Sequence, residues 1–454
     1  MFFREQHFHF VGIGGIGMSG IAEVLLTLGH AVSGSDLRPS PITSRLASRG
    51  ARIFTGHHAA NVEPDVTALV VTSAVNESNP EIQEARRRKV PVIPRGELLA
   101  ELMRLKYGVA IGGSHGKTTT TSMTATILSH GGLDPTVVVG GRVSTMGGSN
   151  ARVGQSDLLV VESDESDGSF LKLAPIIAVV TNIDREHLDY YKTFERILDS
   201  FLDFVNRVPF YGAAILCLDD ENVQRILPSV RRRVVTYGST PQADFVIRDI
   251  EAASTASSFS IPGLGRFEVP LTGLHNVLNA TAAIAVAREL GLDPTLIAQG
   301  LAAFRGVDRR FQLKGEVAGI TVIDDYGHHP TEIRATLNAA RQRRFNRIHV
   351  LFQPHRFTRT QILMDDFARS FFDADSVTVL DVYAASETPI EGVSAHTLID
   401  RMRASGQREV SYAHSLEEAA AVLARKAKPG EMILTLGAGS VSQAGDLILS
   451  ELRQ

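Results

Sequence analysis

Short apolar runs rich in β-branched residues alternate with longer segments of helical period along almost the whole chain. Residues 109–111, 158–161 and 176–181 are runs of this kind, and later ones are separated by helical patterns such as 331–341 and 416–425. A strand that is buried on both faces reads as a continuous apolar run, so this alternation is typical of parallel sheets covered by helices. We therefore expect an α/β protein, and 454 residues correspond to about three domains.

Two breaks in this pattern indicate where the domains meet. A helix-like stretch at 96–106 ends just before a new strand at 109–111, and a polar run at 306–311 precedes another alternation that begins at residue 320. The predicted domains are residues 1–106, 107–313 and 314–454. Within the second domain, the Ser-rich stretch 245–270 is expected to be antiparallel.

The charge balance and the cysteine count exclude several classes of protein. Lys and Arg number 46 against 50 Asp and Glu, and the net charge of −4 lacks the basic excess of a nucleic-acid-binding protein. Cys217 is the only cysteine, which excludes an intrachain disulfide and a cysteine-based zinc cage and predicts a buried apolar thiol. No apolar run approaches the roughly 18 residues of a membrane span, and we expect a cytoplasmic protein.

A glycine-rich loop follows the first predicted strand. Residues 12–17 read Gly-Ile-Gly-Gly-Ile-Gly between the strand at 8–11 and a helical pattern at 18–26. In this context the glycines let backbone N–H groups approach a diphosphate at the positive end of the helix. Asp36 ends a second short strand, where it can meet a ribose or base hydroxyl. The alternative is a tight turn that binds no ligand.

A second loop, at 113–119, reads Gly-Ser-His-Gly-Lys-Thr-Thr between a strand and a helix that two glycines, 131 and 132, stop. Lys117 is expected to pair with the β- and γ-phosphates of ATP, the amides of the loop to cradle them, and the Thr118 hydroxyl to bind Mg²⁺. The loop is shorter than the general phosphate-loop motif, which favours a different group from the motor ATPases. The alternative is a chance Gly-Lys-Thr at a helix start.

Acidic residues follow the next strand. Glu162 stands at its carboxyl end, where parallel sheets place their ligands, and is the predicted metal ligand. Asp164, Glu165 and Asp167 have the alternative interpretation of a solvated acidic loop. His187 is expected one turn into a helix, where it can complete a second metal position, although a structural histidine is the alternative.

Five segments occur in the order found in the muramyl (Mur) ligases, and the chain resembles this family along its whole length. They are 113–119, 162–167, 182–187, 275–280 and 309–311. Segments 12–19, 325–330 and 353–360 are similar to the branch that adds the first amino acid. Sister branches place a carbamylated lysine after the histidine-bearing segment, whereas this chain has no lysine between Lys192 and Lys314. That departure also favours the alanine-adding branch.

The resemblance implies three α/β domains with separate tasks. A Rossmann-like N-terminal domain would bind the UDP end of the substrate, a central phosphate-loop ATPase domain with a mainly parallel sheet would bind ATP, and a Rossmann-like C-terminal domain would bind the amino acid. The implied reaction joins L-alanine to the lactyl carboxylate of UDP-N-acetylmuramate through an acyl phosphate, in peptidoglycan precursor synthesis. The implied cofactors are ATP and Mg²⁺, with Mn²⁺ as an alternative. We expect no nucleic-acid partner, and a monomer or weak homodimer.

Matching motifs also give candidate site residues. The ATP-binding set is Gly113, Ser114, His115, Gly116, Lys117, Thr118, Thr119, Asn276, Asn279, Arg310 and Asp325. The UDP-binding set is Gly14, Gly15, Ile16, Gly17, Met18, Ser19, Asp36 and Ser73. The amino-acid-binding set is His328, His355, Arg356 and Arg359. The predicted catalytic residues are Lys117, Glu162, His187 and Arg310, and the predicted metal ligands are Thr118, Glu162 and His187.

Several of these residues have a second interpretation that the sequence leaves open. Asn276 could cap its helix, and either Arg309 or Arg310 could face the phosphates. The doublet at 328–329 could steer the amino group or cap the following helix. Arg356 and Arg359, three apart on one predicted helical face, suit capture of a carboxylate but could also be a solvated basic face.

Three other functions remain as alternatives. One is the related ligase that attaches a recycled peptide to UDP-N-acetylmuramate, which shares both glycine-rich loops. Another is an NAD-dependent oxidoreductase, suggested by 12–17 and Asp36, although it leaves 113–119 unexplained. The third is a non-catalytic binding protein regulated by a nucleotide.

Overall fold

The chain forms two compact units in a computed structural model, which describes residues 5–72, 75–143, 149–253 and 255–454. The first unit comprises the described residues up to Ile250 together with Phe259–Val269 and Leu278–Arg305. The second comprises the described residues of Glu251–Ser258, Pro270–Val277 and Gly306–Gln454.

The first unit begins with a five-stranded parallel sheet. Its strands are β1 (His7–Val11), β2 (Ala31–Asp36), β3 (Arg52–Thr55), β4 (Ala68–Val71) and β5 (Val92–Pro94), and its helices are α1 (Ile16–Thr27), α2 (Pro41–Ser48), α3 (Pro80–Arg87) and α4 (Arg95–Met103). The strand order β3-β2-β1-β4-β5 places β1 beside the point where the order reverses. The glycine loop after β1, Asp36 at the end of β2 and Arg95 after β5 therefore share one carboxyl edge.

A larger sheet of eight strands follows in the same unit. Its strands are β6 (Tyr107–Gly112), β7 (Thr136–Val143), β8 (Ser149–Arg152), β9 (Leu158–Glu162), β10 (Ile177–Val180), β11 (Ala213–Cys217), β12 (Val234–Gly238) and β13 (Phe245–Val246). Its helices are α5 (Lys117–His130), α6 (Leu188–Tyr191), α7 (Phe194–Asn206) and α8 (Glu221–Ile226). The order is β13-β12-β11-β10-β6-β9-β7-β8, and neighbouring strands are parallel except for β7 and β8. The phosphate loop thus leaves β6 between β10 and β9.

The Ser-rich stretch departs in part from its expected antiparallel arrangement. β13 joins the edge of the eight-stranded sheet and pairs parallel with β12. The following strands form a separate sheet of three: β14 (Arg248–Ala252), β15 (Ser257–Ile261) and β16 (Gly265–Val269). Two helices come next, α9 (Leu274–Glu289), whose residues belong to both units, and α10 (Pro294–Ala302). The expectation was wrong at β13 because only two residues of apolar sequence are needed to extend an existing parallel edge.

The second unit is built on a six-stranded sheet. Its strands are β17 (Gln312–Val317), β18 (Ile320–Asp325), β19 (Ile348–Phe352), β20 (Ser376–Val379), β21 (Val410–Tyr412) and β22 (Met432–Leu436). Its helices are α11 (Pro330–Gln342), α12 (Phe357–Ile362), α13 (Met364–Ala368), α14 (Ala395–Ala404), α15 (Leu416–Lys426) and α16 (Ala444–Glu451). The order is β17-β18-β22-β19-β20-β21, parallel except that β17 runs antiparallel to β18.

Alternate residues of these strands pack into two apolar clusters on opposite faces of the six-stranded sheet. Ile323, Val350 and Leu434 contribute to one cluster, and Val322, Leu351 and Ile433 contribute to the other. Because both faces are covered, the central strands are apolar at most positions, which is the pattern read from the sequence. The prediction of an α/β fold with mainly parallel sheets is confirmed.

The surroundings of Cys217 and the length of the helices test two further expectations. Cys217 is buried at the end of β11, and burial raises the pKa of its thiol to about 12, as expected for a structural thiol. No helix among the described residues combines the length and the apolar character needed to cross a bilayer.

Candidate active site

The phosphate loop turns where β6 ends, and two of its glycines have backbone conformations that L-residues rarely adopt. Gly113 has φ +128° and Gly116 has φ +80°. A Cβ atom on Gly113 would lie 2.1 Å from the Thr181 hydroxyl oxygen and 3.0 Å from the Thr181 backbone nitrogen. The loop can therefore fit against the end of β10 only if this position is glycine.

Lys117, the first residue of α5, lies folded over this loop. Its Nζ donates hydrogen bonds to the carbonyl oxygens of Gly113 at 2.6 Å and Ser114 at 3.0 Å, and it pairs with Glu165 Oε1 at 2.7 Å. Burial alone would lower the pKa of Lys117, but the carboxylates of Glu165 and Glu186 outweigh burial and hold the pKa above its ordinary value. The loop thus carries a fixed positive charge near neutral pH.

Thr118 and Glu162 meet although they are 44 residues apart in the sequence. The Thr118 hydroxyl donates to Glu162 Oε1 at 2.9 Å, and the backbone N–H of Gly140 donates to Glu162 Oε2 at 2.6 Å. Glu162 is the last residue of β9, which is hydrogen-bonded to β6. The sheet order therefore brings the predicted hydroxyl and carboxylate together.

Glu165 and Glu186 lie together beside His187, and of these two carboxylates sequence reasoning missed Glu186. Glu165 is only 3% exposed, so the alternative of a solvated acidic loop is wrong for it. Its Oε2 atom is buried and has no hydrogen-bond partner among the described residues. One ligand atom each of Glu165, Glu186 and His187 lie within 4.8 Å of one another, a spacing that can hold a metal ion.

His187 does not lie inside a helix as expected. It is the residue before α6 and has φ 55°, a left-handed conformation. Its Nε2 is 3.7 Å from Glu165 Oε1 and 3.8 Å from Glu186 Oε2. The turn aims the imidazole at the two carboxylates, an arrangement that helical periodicity could not indicate.

Ser114 and His115 are held by the segment that follows β10. The backbone N–H of Asp184 donates to the Ser114 hydroxyl at 2.8 Å, and the backbone N–H of His115 donates to Asn182 Oδ1 at 2.8 Å. His115 Nε2 lies 2.9 Å from Asp184 Oδ2. The loop is thus braced before any ligand is present.

Asn279 reaches the phosphate loop, whereas Asn276 bonds to the chain that precedes its own helix. A Cβ atom on Gly116 would lie 2.4 Å from Asn279 Oδ1, and the Thr120 hydroxyl donates to the same oxygen at 3.2 Å. Asn276 lies in the first turn of α9, where its side chain donates to the Thr272 carbonyl at 2.8 Å. The alternative of an N-cap at Asn276 is wrong because the helix begins two residues earlier.

The first glycine loop makes contact with Asp36. The backbone N–H of Gly14 donates to Asp36 Oδ2 at 2.9 Å, and α1 begins after Gly15. Ile16 and Gly17 open this helix, and Met18 and Ser19 are buried in its first turns. A cavity of about 200 Å³ adjoins Asp36, and its lining also includes Arg38, Thr43 and Phe54. Ser73 lies outside the described residues.

Two neighbouring arginines of the second unit, Arg309 and Arg310, differ in how firmly their side chains are held. Arg309 Nε lies 2.9 Å from Asp324 Oδ2, and another of its nitrogens donates to a backbone carbonyl at the end of β22. Arg310 lies 3.2 Å from Glu332 Oε1. Both guanidinium groups lie over the ring of Tyr326, 5.1 and 5.2 Å from its centroid. Arg309 is therefore a structural anchor, and Arg310 is the less constrained of the two.

Asp325 is a buried carboxylate with several donors. It accepts hydrogen bonds from the backbone N–H groups of Phe311 and Gly327, both at 2.7 Å, and from the Thr336 hydroxyl at 3.3 Å. Burial raises the pKa of Asp325 to about 6, although Arg310 and the two backbone donors act in the opposite direction.

The two neighbouring histidines, His328 and His329, have different surroundings in the structure. His329 caps α11, since its Nδ1 accepts from the backbone N–H of Thr331 at 3.3 Å. His328 instead packs edge-on against Tyr326, with its ring 5.9 Å from that of His355. His328 is thus the member of the pair that belongs to the candidate amino-acid site.

His355 is covered by an aromatic ring that sequence reasoning missed. The ring of Tyr383 is stacked at 5.5 Å with an interplanar angle of 11°, and Arg359 lies 3.2 Å from His355 Nδ1. Burial, with the charges of Arg359 and Arg356, lowers the pKa of His355 to about 4, so the imidazole is neutral at pH 7. Arg356 has φ 70° and precedes α12, so the expectation that it shares a helical face with Arg359 is wrong.

A parallel sheet that presents a glycine-rich loop, a lysine, a threonine and carboxylates at one edge defines a phosphate-loop nucleotide-binding enzyme. Three family models match the chain: Mur ligase family, catalytic domain over residues 7–107; Mur ligase middle domain over 111–287; and Mur ligase, glutamate ligase domain over 309–439. The protein belongs to the Mur ligase family and has the three domains of that family.

Individual relatives resemble the chain over its full length. The UDP-N-acetylmuramate–L-alanine ligase of Solibacter usitatus is 66% identical and covers 100% of this chain and 97% of its own length. The crystal structure of the UDP-N-acetylmuramate–alanine ligase MurC from Thermotoga maritima has a TM-score of 0.83 at 30% identity, with 99% of each chain covered. A murein peptide ligase from Psychrobacter arcticus has a TM-score of 0.73 at 25% identity, with 98% of each chain covered.

Proposed function

We propose that this protein is the ATP-dependent ligase that joins L-alanine to the lactyl carboxylate of UDP-N-acetylmuramate, in peptidoglycan precursor synthesis. The curated relatives of 66% and 58% identity over the full chain bear that name. The observation that carries the chemistry is the contact of Lys117 with the phosphate loop and Glu165, beside the Thr118–Glu162 pair. This cluster is suited to transfer of a terminal phosphoryl group.

The reaction needs ATP because a carboxylate is a poor acyl donor. Attack of a lactyl carboxylate oxygen on the γ-phosphorus gives an acyl phosphate and ADP. The amine of L-alanine then attacks the carbonyl carbon, and amide, phosphate and a proton are the products. In this scheme Lys117 and the loop amides offset the charge that develops on the transferred phosphoryl group.

The chain also offers donors that fit a divalent metal. Hydroxyl and carboxylate oxygens are the ligands that Mg²⁺ prefers, and Thr118, Glu162 and the orphaned oxygen of Glu165 supply them. His187 would add a nitrogen ligand, which is acceptable to Mn²⁺. A bound Mg²⁺ would polarise the phosphoryl oxygens, and the role of these side chains is to hold it beside Lys117.

We assign the remaining nucleotide contacts to four residues. Asn276 and Asn279 would contact the adenine side, Arg310 the phosphates and Asp325 the ribose. Asp325 already accepts three hydrogen bonds, so a ribose hydroxyl would use a remaining lone pair of its carboxylate.

The donor and the amino acid are assigned to the other two domains. The loop from Gly14 to Ser19, with Asp36 and Ser73, would bind the UDP moiety, since Asp36 both contacts Gly14 and borders a cavity. His328, His355, Arg356 and Arg359 would bind L-alanine. The neutral imidazole of His355 avoids charge repulsion with Arg359, and that arginine is suited to the carboxylate of the amino acid.

The proposed domains are residues 1–106, 107–313 and 314–454. We propose a monomer or a weak homodimer as the active form. The substrates, ATP and a UDP-sugar acid, are metabolites of the cytoplasm, where we place the reaction.

The test is a phosphate-release assay with ATP, Mg²⁺ and UDP-N-acetylmuramate in which L-alanine, glycine, L-serine or the recycled tripeptide is supplied in turn. We expect turnover that requires both the donor and L-alanine. Turnover with the tripeptide and not with L-alanine would favour the peptide ligase, and phosphate release that needs no amino acid would contradict the proposal.

A further inference from the structure

Arg95 lies where the first glycine loop meets the acidic loop of the central domain. It is the first residue of α4, directly after β5. A Cβ atom on Gly17 would lie 2.7 Å from its Nη1 and 3.1 Å from its Cζ, so the guanidinium packs against the last glycine of the loop. Its Nη2 lies 2.8 Å from Asp164 Oδ2.

This position is electrostatically unusual for an arginine. The N-terminus of a helix carries a partial positive charge, and cations are disfavoured there. Arg95 opens α4, whose first turn contains Glu97, and lies against the first turn of α1, which has no acidic residue there. An arginine at such a place is stabilised by an anion, and a glycine loop of this kind is built for a diphosphate.

Asp164 is the anion that offsets this charge in the structure, and it belongs to the segment that carries the catalytic acids. It is two residues after Glu162 and directly before Glu165. Arg95, Glu162 and Asp164 also line one small crevice.

We propose that Arg95 binds the diphosphate of the UDP-linked donor and, by exchanging part of its contact with Asp164, couples donor binding to the loop that holds Glu162 and Glu165. This inference rests on the proposed function for the identity of the donor. A guanidinium can serve both anions, since it has five N–H donors. Arg95 is thus a donor-binding residue through the diphosphate and a positioning residue toward the acidic loop.

The test measures donor binding without turnover. Isothermal titration calorimetry with UDP and with UDP-N-acetylmuramate, in the absence of ATP, compares wild type with Arg95→Ala, Arg95→Lys and Asp164→Asn. We expect Arg95→Ala to raise both dissociation constants about 10- to 100-fold, as for loss of a charged hydrogen-bonding group. Arg95→Lys should recover part of the loss. Asp164→Asn should tighten UDP binding about two- to fivefold, because it frees Arg95.

A neighbouring ion pair supplies the control. Lys172 Nζ pairs with Glu97 Oε2 at 2.7 Å and also joins α4 to the central domain. Lys172→Gln removes a link between the same elements without touching the glycine loop, and it should leave both dissociation constants within twofold of wild type.

The coupling is read from a second titration, in which the donor is added with and without a non-hydrolysable ATP analogue. The ratio of the two donor dissociation constants should differ from one in wild type and approach one in Asp164→Asn. Donor binding within twofold of wild type in Arg95→Ala, or equal losses in Arg95→Ala and Lys172→Gln, would overturn the proposal. Wild-type turnover with L-alanine is scored separately, so a failure of the proposed function is distinguishable from a failure of this inference.

Discussion

Replacing Lys117 by alanine removes the charge that lies 2.7 Å from Glu165 and within hydrogen-bonding distance of two loop carbonyls. If this ammonium group offsets charge in the transition state, its loss should lower kcat about 100- to 1,000-fold, which corresponds to about 2.7–4 kcal/mol. A second effect acts on stability. Breaking a buried ion pair by removing one partner costs about 3–5 kcal/mol, because the other charge stays buried.

The two effects can be separated by measuring phosphate release and urea unfolding on the same samples. The double variant with Lys117→Ala and Glu165→Gln should regain part of the free energy of unfolding, because it no longer buries an unpaired carboxylate, but it should stay inactive. Lys106→Ala is the matched control, since Lys106 directly precedes β6, the strand that leads into the phosphate loop, and donates to the Ser156 carbonyl at 2.7 Å. Turnover of the Lys117→Ala enzyme within tenfold of wild type would refute the role of Lys117.

Three other predictions follow from the geometry. Gly113→Ala should lower the free energy of unfolding by about 2–4 kcal/mol, because its methyl group would meet the hydroxyl of Thr181. Gly132→Ala is the control and should cost about 1 kcal/mol, because a Cβ atom there would have no atom within 4 Å. Equal losses in urea unfolding would contradict this reasoning. Asp325 has a pKa raised to about 6, so its contribution to stability is fully present below about pH 4 and is lost as the pH rises through 6. The unfolding free energy of wild type minus that of Asp325→Asn should therefore fall by about 2 kcal/mol between pH 4 and 7, and a flat difference would contradict the assignment. Chelation of the metal with EDTA should abolish phosphate release. Glu162→Gln should raise the Mg²⁺ concentration needed for half-maximal activity at least about tenfold, and an unchanged Mg²⁺ titration would exclude Glu162 as a ligand.

The sequence was most informative where one short segment contains both the structural and the chemical signal. In the loop from Gly113 to Thr118, the glycines set the turn and the next two residues supply the lysine and the hydroxyl, so the spacing alone predicts their proximity. The position of Glu162 could also be predicted, because the carboxyl ends of parallel strands share one edge.

The sequence was least informative where a contact depends on which loops the sheet order brings together. The pairing of Lys117 with Glu165 spans 48 residues, and nothing in the acidic run singles out the one carboxylate that is buried. His187 and Arg356 have positive φ values that no periodicity indicates. Tyr383 stacks on His355 from a separate loop, and its only sequence signal is an aromatic residue after an apolar strand.

The central claim is that ATP activates the lactyl carboxylate by phosphoryl transfer, and the fate of the carboxylate oxygens tests it directly. UDP-N-acetylmuramate labelled with ¹⁸O in both lactyl carboxylate oxygens is turned over with ATP and L-alanine, and the released phosphate is analysed by mass spectrometry. The mechanism predicts one ¹⁸O atom in each phosphate and one retained in the amide. Unlabelled phosphate formed together with the amide product would contradict it.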